Sequence, residues 1–123
     1  MAVDAATTGD NARIQARELV EALRPRVLKL LEFFKQYRNS DGLLEKLPSW
    51  VFVEWSKANE FVQDVNYPSS MLYARVLEAV ARLYDLPEHA RDAEQMRATI
   101  LKQSFDGEFF VDTAKRVDGK LQV

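Results

Sequence analysis

The stretch Pro68-Ser69-Ser70-Met71-Leu72-Tyr73-Ala74-Arg75-Val76-Leu77-Glu78-Ala79-Val80-Ala81-Arg82-Leu83-Tyr84 decides how this chain folds. Proline suits the first position of a helix, where no amide hydrogen is needed, and the spacing predicts a helix over 68–84. Its charged residues, Arg75, Glu78 and Arg82, fall at i, i+3 and i+7, which is one narrow stripe. A helix that is apolar nearly all round has to be surrounded by other protein. Asp85-Leu86 then leads into a second helix over 87–103, opened by Pro87 with Glu88 in its first turn. That helix is charge-rich, with Ala90, Ala93, Met96, Ile100 and Leu101 for one buried face. A wrapped helix followed at once by a surface helix reads as an inner–outer antiparallel hairpin.

Upstream, Thr7-Thr8-Gly9-Asp10 supplies turn and N-cap chemistry after a flexible start over residues 1–8. Leu19, Val20, Leu23, Val27, Leu30, Leu31, Phe34 and Tyr37 recur at three- and four-residue steps, predicting a helix over about 10–38. Pro25 either divides it or kinks it. The apolar register crosses Pro25 without a phase jump, which favours one kinked helix. Asn39-Ser40-Asp41-Gly42 ends it, with Gly42 free to take positive φ. Residues 47–67 combine aromatic and β-branched residues with helix breakers. They read as an aromatic loop or a short extended segment, too isolated to build a sheet. Downstream, Phe105-Asp106-Gly107-Glu108-Phe109-Phe110-Val111-Asp112 reads as a loop or short hairpin, and Asp118-Gly119 as a final turn. The expected fold class is all-α, in antiparallel helical pairs, and no helical-repeat period is present.

Composition narrows the chemistry. The chain has 123 residues, the size of one domain or a piece of one. It is 47% hydrophobic and 29% charged, enough apolar surface to offset the entropy of ordering. Cysteine is absent, which removes disulfides, thiol nucleophiles and thiolate metal sites together. His89 is the one histidine, so a histidine-dependent triad or a multi-histidine zinc site has almost nothing to draw on. A net charge of −2 gives no long-range pull toward nucleic acid or an anionic membrane. Arg13, Arg17, Arg24 and Arg26 are interleaved with Glu18 and Glu21, which is no nucleic-acid face. The first residues show neither a basic segment nor an apolar one, so no signal peptide is expected, and a complete chain would be cytoplasmic.

The order of these pieces resembles the α-L-rhamnosidase-like branch of the six-hairpin glycosidases. Thr8-Gly9-Asp10 before an amphipathic helix with a central proline is similar to that family's opening helix, and Asp41-Gly42-Leu43-Leu44 follows at the expected place. Trp50-Val51-Phe52-Val53-Glu54-Trp55 resembles the family's W-x-F-x-D-W segment, with glutamate where aspartate is usual. Ala79-Val80-Ala81-Arg82-Leu83-Tyr84, then Phe105-Asp106 with Phe109 and Asp112, is similar to the hairpin that follows it. The resemblance spans residues 7–112 and implies an (α/α)6 toroid, of which residues 9–123 would be a fragment.

The resemblance further implies a parent that hydrolyses terminal sugar residues by inverting acid–base catalysis. Two carboxyl groups are needed for that, one as general acid and one as base. The implied acid lies N-terminal to this piece and the base on a later hairpin, so no catalytic residue is expected here, and no cofactor or metal. Trp50, Glu54 and Trp55 are the expected substrate-binding residues. Indole faces pack against sugar C–H groups, and a carboxylate accepts hydrogen bonds from hydroxyls. The plainer reading is that both tryptophans are core. Glu54 with Asp64 as a self-sufficient acid–base pair, and a site role for His89, are the weaker options. The partner implied is the parent's carbohydrate substrate, with no nucleic acid and no membrane. A small all-α interaction module without catalytic activity is the alternative. In either case exposed helix faces predict a homo-oligomer, a dimer burying more than ~1,200 Å2 in total.

Overall fold

A computed structural model describes residues 5–48 and 64–122 of the chain, with side chains from residue 9 onward. Two compact units follow one another, residues 1–32 and 33–123. The first is helical rod: α1 runs over Ala5–Lys35 and ends just inside the second unit. It is helical from residue 5. Pro25 lies inside the helix with its side chain exposed, and one helix results rather than two. Within this unit Ile14, Leu19, Leu23 and Leu30 are exposed, because a lone helix has nothing of its own on which to bury an apolar face.

The second unit holds the core. After Lys35 the chain tightens, with the amide hydrogens of Tyr37 and Arg38 bonding the carbonyls of Phe34 and Lys35. Helix α2 (Tyr67–Tyr84) and helix α3 (Pro87–Ser104) form the antiparallel hairpin, close to the spans expected from the sequence. Asn66 caps α2 by accepting a hydrogen bond from the Ser69 amide at 2.8 Å. Asp85 closes α2 in the left-handed region, φ 52°. Tyr73, Leu77, Val80 and Tyr84 of α2 are buried, as are Ala93, Met96 and Ile100 of α3. These positions recur at three- and four-residue steps, so each helix offers the other a stripe of its own surface.

A three-stranded antiparallel sheet corrects the all-α expectation. Strand β1 (Val65–Asn66) pairs with β2 (Thr113–Val117), which pairs with β3 (Lys120–Gln122). Asp118 and Gly119 connect β2 to β3 with φ of 52° and 77°. Two positive φ values in a two-residue loop are the mirror-image turn whose twist suits a hairpin. Val65, judged too isolated for a sheet, finds its partner in Ala114, 49 positions along, and both are buried. The sheet is therefore long-range, and no local pattern announces it. One helical hairpin is present among the described residues; helices enough for a ring are not.

A second correction concerns α2. Leu72 and Leu83 are 61% and 53% exposed, and Val76 lies beside them, also exposed. The helix that reads as fully wrapped is thus covered on one side only.

Candidate functional site

The aromatic stretch starts and ends on one small patch of the second unit, and that patch is built as follows. Gly42 (φ 86°) lets the chain turn after α1, and Asn39 locks the turn. The Asn39 Oδ1 accepts from the amides of Asp41 and Leu43, at 2.9 and 3.0 Å. Arg38 then pairs with Leu44 as an antiparallel bridge, and Glu45 pairs in the same way with Val65. The Asn66 amide donates to the Leu44 carbonyl at 3.1 Å. The Glu45–Val65 bridge is thus a base at which the described residues on either side of 49–63 meet, with Leu44 and Val65 both buried.

Polar side chains surround this base. The Arg116 guanidinium of β2 grips the Glu45 carboxylate, with its Nε 2.8 Å from Oε2 and its Nη2 2.8 Å from Oε1. Asn39 Nδ2 donates to Glu45 Oε1 at 2.9 Å. Hydrogen bonding from Arg116 holds the Glu45 carboxyl below the usual carboxylate range, against the opposing effect of burial. Nearby, the buried Tyr67 donates its phenol hydrogen to Gln103, whose amide donates in turn to Asp41 Oδ2. Burial raises the Tyr67 phenol, and the Asp41 charge adds to the rise. The Leu44 amide, itself buried, donates to the Ser70 hydroxyl at 3.0 Å.

A third link ties the turn to α3. Arg38 donates through Nη1 and Nη2 to both oxygens of Asp92, at 2.6 and 2.7 Å, and through Nε to the Gly42 carbonyl. That two-pronged hydrogen bond lowers the Asp92 carboxyl and raises the Arg38 guanidinium. A Cβ on Gly42 would stand 3.1 Å from Arg38 Nη2, so the small residue is needed for space as well as for φ.

The expected binding residues Trp50, Glu54 and Trp55 lie outside the described residues, as does the Glu54 half of the Glu54–Asp64 pair. Asp64, directly before β1, is half-buried. His89 is half-buried in the first turn of α3, where its amide donates to the Leu86 carbonyl. Arg75 and Arg82 converge on Glu78, so that stripe is a charged cluster on α2. Sequence reasoning missed Glu45, Arg116, Arg38, Asp92 and Tyr67 as members of the patch. Their partners lie far along the chain, and the legible signal was Asp41-Gly42, which fixes the turn from which Arg38 and Glu45 depart.

Chemically, this patch is a clamp. Glu45 and Asp92 are held ionised by arginine, the opposite of what a general acid requires. Among the described residues no group of His, Asp or Glu could hold a metal ion, and no helix is long and apolar enough to cross a membrane. No family model, no curated protein and no solved structure matches this chain.

Proposed function

We propose that this chain is a slice of the (α/α)6 catalytic domain of a glycoside hydrolase similar to α-L-rhamnosidase, whose parent removes terminal sugar residues by inverting acid–base catalysis. The observation that supports it best is the Glu45–Val65 bridge, which brings the two flanks of the aromatic stretch together next to the start of α2. The sequence between those flanks holds Trp50, Glu54 and Trp55, residue types that take sugars by ring stacking and hydroxyl hydrogen bonds. In this reading the three residues line the parent's sugar pocket. The Arg116–Glu45 and Arg38–Asp92 pairs fix the described chain beside them, and the acid and base come from flanking hairpins. The isolated chain is inactive.

The extent of the natural gene product tests the proposal. A product several times longer, with helical hairpins on both sides, supports it. A product ending at Val123 refutes it, since a lone hairpin cannot enclose a sugar. In the longer enzyme, Trp55→Ala should lower kcat/KM by about tenfold or more, the scale of a lost stacking platform.

A second reading, a helical interaction module, is favoured by the exposed apolar residues of α1 and of α2. Both readings lead to self-association of the isolated chain through helix faces, to a dimer burying more than ~1,200 Å2 in total.

A further inference from the structure

On the outer side of α2, Leu72, Val76, Ala79 and Leu83 fall at i, i+4, i+7 and i+11, a straight exposed stripe. That spacing is the seam along which one helix receives another. One edge of the stripe is strongly basic. Arg75 (65% exposed), Arg82 (74%) and Arg97 of α3 all converge on the single carboxylate of Glu78. Three guanidiniums offer many more hydrogen-bond donors than one carboxylate can accept, and the surplus charge is positive.

We propose that this face seats an amphipathic helix whose apolar seam is edged by carboxylates on the Arg75–Arg82–Arg97 side. A second copy of the chain is a poor occupant. Antiparallel pairing of the stripe with itself sets Leu72 against Leu83 of the copy, and it then brings Arg75 beside Arg82 of the copy. Like charges face each other along the whole edge. The face of α1 carries Glu18 and Glu21 near its exposed Leu19 and Leu23, but Arg26 falls within that seam between Leu23 and Leu30, so it offers no unbroken acidic edge. The occupant is therefore a helix from elsewhere in the longer polypeptide, supplied by an adjoining hairpin. That choice of source rests on the glycosidase reading, whereas the chemistry of the edge rests on α2 and α3 alone.

The test uses the whole 123-residue chain and two fluorescein-labelled helical peptides. Both carry leucine at i, i+4, i+7 and i+11; one is edged with glutamate and the other with lysine. Anisotropy titration should show the glutamate-edged peptide binding at least about tenfold tighter at low salt, with the gap closing as salt is added. The double variant Arg75→Glu with Arg82→Glu should reverse the preference, and Leu72→Asp should weaken both peptides. All three positions are exposed, and unchanged far-ultraviolet circular dichroism would show that the variants fold. Equal affinity for both peptides, or binding of neither, overturns the edge chemistry and leaves the glycosidase reading standing. A glutamate preference in a protein whose gene ends at Val123 overturns the source and the glycosidase reading together. A flanking gene segment that encodes an acid-edged amphipathic helix supports both.

Discussion

Ser70 shows what one hydroxyl does in this protein. It is fully buried, and it accepts the hydrogen bond of the Leu44 amide, whose residue is buried as well. Ser70→Ala should cost about 1–3 kcal/mol in urea unfolding, because it strands a buried donor. Arg38 and Asp92 work at the same scale, with side chains 17% and 28% exposed. The Asp92 carboxyl has a lower pKa folded than unfolded, where about 3.9 is normal. The pair's stabilisation is thus present above that unfolded value and is lost as pH falls through the folded one. Asp92→Asn should lower stability at pH 7 by about 1–2 kcal/mol. The difference from the parent chain should shrink as pH falls below the unfolded value, and a gap that stays undiminished down to acid unfolding would refute the ion pair. Gly42→Ala meets both the left-handed φ and the Arg38 guanidinium, and should cost about 1–2 kcal/mol by the same assay.

At the scale of the element, α2 shows opposite ends built by different means. Its start is well made, with Asn66 as cap and Pro68 in the first turn. Its end forces Asp85 into the left-handed region at φ 52°, which glycine occupies at less cost. Asp85→Gly should therefore stabilise the chain by about 0.5–1 kcal/mol, read as a higher urea midpoint. A lower midpoint would mean that the aspartate side chain makes a contact outweighing its backbone strain. The β2–β3 turn combines both choices, with Asp118 at φ 52° followed by Gly119 at φ 77°.

For the whole molecule, the apolar surface left open on α1 and on α2 governs behaviour in solution. Leu19, Leu30, Leu72 and Leu83 are each more than half exposed. Patches of this kind associate, and the chain should sediment as a dimer at tens of micromolar and above. Leu19→Glu together with Leu30→Glu should shift it toward monomer without loss of helix. Since α2 is edged by arginine and pairs poorly with itself, self-association should depend on α1 far more than on Leu72.

Sequence alone determined what rests on neighbours in the chain. The helices over 67–84 and 87–104 follow from prolines at their starts and from three- and four-residue apolar steps, and Asp41-Gly42 and Asp118-Gly119 mark their turns through positive φ. Trp50, Glu54 and Trp55 were singled out by residue type and order, which give identity but no geometry. Only the tertiary structure decided the rest. Val65 meets Ala114, Glu45 meets Arg116 and Arg38 meets Asp92 across separations of 49, 71 and 54 residues. A two-residue strand or a lone ion pair leaves no periodic trace, since its partner is chosen by the packing of the hairpin between them. The exposed side of α2 was hidden for the same reason. Periodicity tells which residues are apolar, and only the placement of neighbouring elements tells which of them are covered.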